Sequence, residues 1–550
     1  MPTRLPVEEG YFRIPHDPDG SPILLGSYSP AAKTYFWPRR KRCPITLQAV
    51  EDCELSTHGE IYSWTFVYMP NMGSQEKDAS GGFGAACAAA QQGLRVLCIE
   101  QAPQIGGNAV ASGVTMWEPG VGGTGLPFLI YRRLKTAPWG AAIYSFGRHF
   151  SWDGREAFPG GEHVPDLRRT YTDTLRRHRG DGQPADTAFR KEHWHGVIFE
   201  PGVYEQVLRA MLGETGRAVL LTGTTFERAE VQDGAVTGLV LSNGTRVTAR
   251  AYIDGTGGGA LCRACGCESL YGQESADRFG EEGAPEQPNT LTNGVTLIFR
   301  VAPAETSAVE PLPEGIPEAC WWDGFPAMSA VQYPNGGYNC NMLPTLSGQE
   351  FAALEYAAAY EECRRRVYAF WRHVQRGWPE FQRYRLAWIA PALGVRESTR
   401  IAGEYVLTLH DLRAGLSKQQ HPDIITIADH SIDRHGAGGI GGEILEPYGV
   451  PYRCLVPKGF TNLLIASRGA SLSSIAASSC RLSRTIMQLG QAAGTAAAIA
   501  LDQGLDLPAV PPGVLQARLR EQHVQLEWPV PPGLAAWLQD ESAIAWSAAP

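Results

Sequence analysis

The stretch Ser80–Glu100, SGGFGAACAAAQQGLRVLCIE, decides the fold class of this 550-residue chain. Its small residues predict a helix that packs closely against a sheet, and the mostly apolar run Leu94–Ile99 predicts a buried strand ending in an acid. This order is typical of a nucleotide-binding βαβ unit, in which glycines at the helix N-terminus approach a diphosphate and the acid, Glu100, binds a ribose. The candidate diphosphate contacts are Gly81, Gly82 and Gly84.

Two later strands and one helix extend the same kind of site. Ala251–Gly259 and Asn462–Gly469 each begin as an apolar strand and end in glycine, where the backbone can lie beside a ligand. The helix predicted over 482–501 is rich in alanine and glycine, and it either approaches that ligand or only packs tightly on the sheet. The further candidate contacts are Gly106, Gly107, Gly257, Arg468, Gly490, Gln491 and Ala492.

The composition excludes several classes of protein. The chain is 43% hydrophobic and 19% charged with a net charge of -9, which indicates a globular protein and disfavours nucleic-acid binding. No run reaches the ~20 apolar residues of a membrane span. Residues 1–12 lack the apolar segment of a signal peptide, and twelve cysteines in this length form no disulfide framework. These features predict a cytoplasmic protein with reduced thiols.

Residues 80–505 resemble the FAD-dependent oxidoreductase family, of the flavoprotein type with two dinucleotide-binding domains. The resemblance is carried by long blocks in the family's order, which are SGGFGAACAAAQQGLRVLCIEQAPQIGGNAVASGV at 80–114, YIDGTGGGALCRACG at 252–266, LGVRESTRIAGEYVLT at 393–408 and LGQAAGTAAAIAL at 489–501. It implies bound FAD and hydride transfer between the flavin and a small organic substrate. It also implies an α/β fold, with a Rossmann-like three-layer ββα FAD domain and an inserted substrate domain of mixed sheet.

The resemblance divides the chain into five predicted parts. They are a partial ribbon or OB-like segment at 1–75, the first part of the FAD domain at 76–270 with an insertion at about 116–200, a substrate domain at 271–454, the last part of the FAD domain at 455–505, and a C-terminal tail at 506–550.

The first glycine turn departs from the family pattern. Its three glycine positions fall on Lys77, Ala79 and Gly82, so two of them carry side chains where backbone should approach the diphosphate. Either Trp64–Met69 supplies the preceding strand through a longer loop, or that strand is missing.

Residues 10–75 resemble a different family, which is associated with acyl-CoA and joins a zinc ribbon to an OB-fold. A ribbon needs four soft ligands, and here only Cys43 stands at a ligand position, so we predict no zinc. The segment is then either a packing or docking element for a protein partner or a site for acyl-CoA.

The segment Asp429–Gly436, DHSIDRHG, is dense in proton-transfer groups. A flavin dehydrogenase needs a base, and histidine titrates near neutral pH, so we predict His430 or His435 as the base with Asp429 beside it. Arg453 is the candidate for orienting a substrate oxyanion. Arg396, Glu397 and Arg400 either form structural ion pairs or contact substrate.

Two alternatives to this function remain at this stage. The protein is a flavin monooxygenase or halogenase, or it is a non-enzymatic, acyl-CoA-linked or docking protein with a degraded FAD site. A metal site at His193 and His195, or at Cys262, Cys265 and Cys267, lacks the further ligands that a metal needs, so no metal is predicted.

Overall fold

A computed structural model describes residues 12–13, 23–36, 39–43, 46–55, 80–145, 149–151, 165–321, 327–342, 344–544 and 546. The predicted strand Trp64–Met69 and the turn positions Lys77 and Ala79 lie outside these residues. Both alternatives for the first strand therefore stay predictions.

The α-helices of the described residues are α1 Ser80–Gln91, α2 Leu126–Thr136, α3 Thr187–His193, α4 Pro201–Glu214, α5 Ala260–Ala264, α6 Ala276–Phe279, α7 Gly348–Ala352, α8 Tyr356–Gly377, α9 Leu409–Lys418, α10 Ser474–Ser479, α11 Ser483–Gln503, α12 Pro512–Glu521 and α13 Pro532–Leu538.

The strands are β1 Phe12–Arg13, β2 Ile23–Ser29, β3 Thr34–Phe36, β4 Glu51–Glu54, β5 Val96–Glu100, β6 Met116–Trp117, β7 Ala141–Ser145, β8 His149–Ser151, β9 His195–Phe199, β10 Ala218–Thr222, β11 Phe226–Gln232, β12 Ala235–Leu241, β13 Arg246–Val247, β14 Tyr252–Asp254, β15 Ser269–Leu270, β16 Phe299–Pro303, β17 Ala327–Gln332, β18 Tyr338–Asn341, β19 Tyr384–Ile389, β20 Arg400–Ile401, β21 Ile424–Ala428, β22 Tyr448–Pro451 and β23 Leu463–Ile465.

Two parallel strand pairs carry segments in which the sequence predicts a nucleotide site. β5 pairs with β10, where Val96 faces Ala218, and β14 pairs with β23, where Tyr252 faces Leu463. Parallel pairing requires crossover connections, and α1 precedes β5 as the sequence predicts. The predicted α/β class is confirmed.

Helices α1 and α11 approach each other at backbone contact. A Cβ built at Gly490 would collide with the carbonyl oxygen of Gly81, and one built at Gly494 would collide with that of Ala85. The alanines and glycines of both helices are thus required by the short distance between the two helix axes. Gly84 has the same role, since its Cβ would meet the carbonyl oxygen of Met487.

A five-stranded antiparallel sheet, in the order β19-β16-β18-β17-β8, forms a second body of structure. Helix α8 covers it, because Cys363, Val367, Phe370 and Val374 recur at helical spacing and are all buried. Their cluster includes Phe299 of the central strand β16.

Residues 506–544, predicted as a C-terminal tail, pack into the core. Leu515 and Leu519 of α12 are fully buried with residues of α11. Glu541 accepts hydrogen bonds from Tyr131 and from the backbone of Tyr171.

The described part of the N-terminal segment is a small antiparallel sheet, in which β2 pairs with β1, β3 and β4. Cys43 is buried, and its Sγ accepts a hydrogen bond from the Thr46 N–H. The ribbon and OB-fold resemblance of this segment stays a prediction. Among the described residues, no helix is long and apolar enough to span a bilayer.

Candidate functional site

A cavity of about 490 Å³ lies where several elements begin or end. Glu118 follows β6, His430 follows β21, Arg468 follows β23, and Leu482–Arg484 form the N-terminal turn of α11. Its volume is within the range of small-molecule sites, which is roughly 300–1,000 Å³. Ligands in α/β folds bind at the carboxyl ends of strands, and the cavity has that position relative to β21 and β23.

His435 and Asp433 form a close polar pair on the cavity wall. His435 Nε2 lies 2.6 Å from Asp433 Oδ2, and Arg481 Nη2 lies 3.0 Å from the same oxygen. Burial, followed by the nearby charge of Arg396, lowers the pKa of His435 to about 4. Burial would raise the pKa of Asp433, but the contacts with His435 and Arg481 hold it well below its usual range. At neutral pH we therefore assign a neutral imidazole that donates Nε2–H to a carboxylate.

His430 lies on the same cavity with a different partner. Its Nε2 is 3.4 Å from Glu118 Oε2, and its Nδ1 is buried without a hydrogen bond among the described residues. The two candidate histidines thus both line the cavity, and the stronger orienting contact belongs to His435.

Arginines dominate the charge of the cavity. Five arginines face three carboxylates, a surplus of two positive charges when the histidines are neutral. The charged lining residues are Arg177, Arg396, Arg468, Arg481 and Arg484, with Glu118, Asp433 and Glu443. Such a site favours an anionic ligand.

Gly257 and Arg468, both predicted cofactor contacts, are neighbours. A Cβ at Gly257 would collide with the guanidinium of Arg468, so this glycine makes room for the arginine at the end of β23. Ser398 Oγ donates a 2.7 Å hydrogen bond to the Gly257 carbonyl, which ties the turn to the segment carrying Arg396.

Asp429, a predicted catalytic residue, is absent from the cavity wall, and its role stays a prediction. Consecutive residues at a strand end point to opposite sides, so His430 faces the cavity and Asp429 faces away. Asp429 Oδ2 accepts a hydrogen bond from Val121 N–H at 3.0 Å and lies 3.2 Å from His178 Nε2. Burial would raise the pKa of Asp429, but His178 and Arg177 lower it overall.

Arg453 is likewise outside the cavity wall, and its predicted role of orienting a substrate oxyanion stays a prediction. It lies away from the cavity residues, where its guanidinium pairs with Asp423 at 3.0 Å and packs over the ring of Tyr405. Its side chain is 42% exposed. Asp423, thirty residues earlier in the chain, lies beside Arg453 in the fold and neutralises its positive charge.

Gly490, Gln491 and Ala492 do not line the cavity either, and their predicted role as cofactor contacts stays a prediction. They lie about two turns beyond the start of α11, away from the cavity wall. Gln491 accepts from Leu126 N–H and donates to Gln522, and Ala492 is fully buried. The end of the helix at the cavity is Leu482–Arg484, and this N-terminus has no side-chain cap.

The remaining predicted cofactor contacts lie around the parallel strands. Gly81, Gly82 and Gly84 belong to the first turns of α1, and Glu100 ends β5, where its carboxylate accepts from the Ala102 N–H at 2.9 Å. Gly106 and Gly107 open a 3₁₀ turn, Gly107–Ala109, whose Asn108 lines the cavity. Their role in binding a cofactor stays a prediction.

Sequence patterns did not single out Asp433, and they left the roles of Arg396 and Arg400 undecided. Asp433 stands in the same segment as His435, but only the fold shows that it, and not Asp429, contacts His435. Arg400 forms buried ion pairs with Glu274 and Glu397 at 3.0 and 3.6 Å, whereas Arg396 lines the cavity. Among the described residues, no group of histidine, cysteine, aspartate or glutamate is arranged to hold a metal ion.

The parallel strand pairs, the close-packed helix and the cationic cavity define a dinucleotide-binding redox fold. The sequence profile of the family described as FAD dependent oxidoreductase matches residues 79–519. The chain belongs to this family. No curated protein matches the chain in sequence.

Three solved structures illustrate what the chain is similar to. A geranylgeranyl bacteriochlorophyll reductase-like protein from Thermoplasma acidophilum is 12% identical, with 86% of this chain and 92% of that chain covered and a TM-score of 0.42. An L-proline dehydrogenase from P. horikoshii is 12% identical, with 79% of this chain and 93% of that chain covered and a TM-score of 0.35. A flavin-dependent halogenase from Xanthomonas campestris is 12% identical, with 81% of this chain and 73% of that chain covered and a TM-score of 0.34.

FAD is the cofactor of the family, and the described residues fit it. A Cβ at Gly255, just after β14, would lie 2.6 Å from Gly82 Cα, so strand end and helix meet with bare backbone, as a dinucleotide site needs. The uncapped N-terminus of α11 and the surplus of arginines suit the negative charge of a dinucleotide or a reduced flavin.

Proposed function

We propose that the protein transfers a hydride between a small organic substrate and FAD, with His435 as the base that takes the substrate's proton. The observation that carries this proposal is the 2.6 Å contact between His435 and Asp433 on the cavity wall. A carboxylate that accepts Nε2–H fixes the tautomer of the ring and leaves Nδ1 as the proton acceptor.

In the oxidative direction, the substrate's C–H bond breaks and its electron pair leaves with the hydrogen as hydride. Bound FAD would supply the acceptor for this hydride. The proton of the substrate's O–H or N–H group passes to Nδ1 of His435, and a C=O or C=N bond forms. Asp433 then faces an imidazolium, whose positive charge it stabilises.

The protein's part in holding the cofactor is assigned to three regions. Glu100 binds the adenosine ribose, the first turn of α1 with Gly82 faces the diphosphate, and Arg468 with the N-terminus of α11 lies near the flavin ring. These assignments are supported by the position of each group at a strand end or at the cavity wall.

The test begins with the visible absorption spectrum of the purified protein before and after denaturation. A flavin spectrum is expected, and a colourless protein that takes up no added FAD contradicts the proposal. The flavin-bound protein is then mixed without oxygen with a panel of small alcohols, amines and their acids. A substrate bleaches the flavin, and His435→Gln should slow that bleaching about a hundredfold or more.

A further inference from the structure

The described residues compensate little of the charge of Arg396. Its Nη1 donates a 2.9 Å hydrogen bond to the Gly294 carbonyl, and no carboxylate of the described residues lies within 4.0 Å. Arg481 and Arg177, on the same cavity, pair with Asp433 at 3.0 Å and with Glu443 at 2.8 Å. Arg396 therefore faces the cavity as a cation that pairs with no carboxylate of the described residues.

The surroundings make this charge costly. Burial, and then the nearby charge of Arg481, lowers the pKa of the Arg396 guanidinium to about 9. The carboxylates of Asp433 and Glu118 offset only part of this effect. An anion placed beside Arg396 would remove a large electrostatic penalty, because a buried charge is stable only when it is paired.

The same cavity offers contacts for a carbon skeleton. Val114, Met116, Trp117 and Ile298 line it together with the arginines. A site with an apolar wall and a guanidinium that pairs with no carboxylate of the described residues suits a small organic molecule that carries an anionic group.

We propose that the cavity holds its organic substrate by a carboxylate that pairs with Arg396, an inference that rests on the proposed hydride transfer. The planar guanidinium matches a carboxylate with two parallel hydrogen bonds. The anionic groups of FAD share this chemistry, so the experiment must separate substrate from cofactor.

The proposal also accounts for the weak basicity of His435. The charge of Arg396 is the second cause, after burial, of the low pKa of this histidine. A carboxylate on Arg396 neutralises that charge, so carboxylate binding and proton uptake by His435 favour each other. The base is thus strengthened when the substrate is bound.

The probe is benzoate, compared with neutral benzamide, on the purified flavin-bound full chain. Binding is measured by isothermal titration calorimetry and by the change in flavin absorption. Benzoate should bind at least tenfold more tightly than benzamide. Arg396→Gln should weaken benzoate binding about tenfold to a hundredfold, while the control Arg376→Gln, an exposed arginine of α8, leaves it unchanged.

Arg396→Lys keeps the charge without the planar fork and should give intermediate affinity, which also covers the case that Arg396→Gln does not fold. The assignment is overturned if the wild-type protein binds neither probe or both alike, or if Arg396→Gln keeps full benzoate affinity. Loss of flavin in Arg396→Gln overturns it too, because the arginine then serves the cofactor. A wild-type protein that takes up no FAD refutes the proposed function alone, since benzoate titration of the flavin-free chain still tests Arg396.

Discussion

Asp433 and His435, two residues apart in the chain, meet side chain to side chain, with Asp433 Oδ2 2.6 Å from His435 Nε2 at the cavity wall. The pair has the arrangement of a base and the group that orients it. Arg481 contacts the same carboxylate at 3.0 Å, which keeps Asp433 ionised. The cavity thus holds a histidine with a lowered pKa among cationic side chains.

Asp433→Asn should slow flavin reduction by substrate about a hundredfold, because an amide can present N–H to the ring and favour the wrong tautomer. Stopped-flow absorbance measures the rate. The double variant with His435→Gln should be no slower than either single variant, since the two residues act as a unit. Asp277→Asn, an exposed aspartate of α6, is the control. Additive losses in the double variant would argue against the pair.

Stability should fall as the pH drops from about 6.5 to about 4. The pKa of His435 is lowered from 6.5 to about 4 in the folded protein, so in this window the unfolded chain binds the extra proton. Proton uptake then favours unfolding, by up to about 3 kcal/mol. Denaturant unfolding at pH 7 and pH 4.5 should show a smaller loss for His435→Gln than for wild type. An equal loss in both proteins would show that His435 is not responsible.

Glu100→Gln should weaken FAD binding about tenfold, because a charged acceptor at a ribose hydroxyl is replaced by a neutral one. The dissociation constant is measured by quenching of flavin fluorescence on the refolded or dialysed protein. Glu404→Gln, an exposed glutamate outside the parallel strands, should bind FAD as wild type does. Unchanged affinity in Glu100→Gln would remove Glu100 from the cofactor site.

Gly490→Ala should destabilise the protein by about 3 kcal/mol or more, because the new methyl group meets the backbone of Gly81, which cannot move aside. Thermal and denaturant unfolding measure the change. The matched control is Gly213→Ala on α4, where a Cβ meets nothing within 4 Å. That variant should be neutral or more stable by up to about 1 kcal/mol. Similar effects at both sites would contradict the close approach of α1 and α11.

Glu541→Gln should cost about 3–5 kcal/mol, because it leaves the buried ammonium of Lys135 without its carboxylate. The two side chains are 3.0 Å apart and only 6% and 2% exposed. Glu214→Gln breaks the exposed pair with Arg133 on the same helix, α2, and should cost about 1 kcal/mol or less. Lys135→Met should restore part of the stability in the Glu541→Gln background, and no recovery would count against the buried pair.

Local sequence patterns were sufficient to predict the helices and the strand that lie in the blocks typical of the family. The small residues of 80–91 predicted α1, the apolar run to Glu100 predicted β5, and the alanine-rich stretch near 482–501 predicted α11. Each follows from periodicity and residue size within one segment. The same patterns could not assign a purpose to the glycines of α11, because Gly490 is required by Gly81, about 400 residues earlier in the chain.

The candidate site shows the limit more sharply. From the chain alone, Asp429 and Asp433 are equivalent neighbours of two histidines, and Arg396 and Arg453 are equivalent cations. The fold distinguishes them. Asp429 contacts Val121 and His178, and Arg453 forms an ion pair with Asp423. These residues differ in the partner that lies near each of them in space. The spacing of residues within one segment does not reveal that partner.

The sequence by itself determined that the protein is an α/β flavoprotein of the FAD dependent oxidoreductase family, because size, hydrophobic period and the order of blocks are properties of contiguous residues. Only the tertiary structure decided which charged groups face the cavity and which are neutralised elsewhere. The fold places Arg396 at the cavity, where it pairs with no carboxylate of the described residues. That outcome depends on distances between residues far apart in the chain.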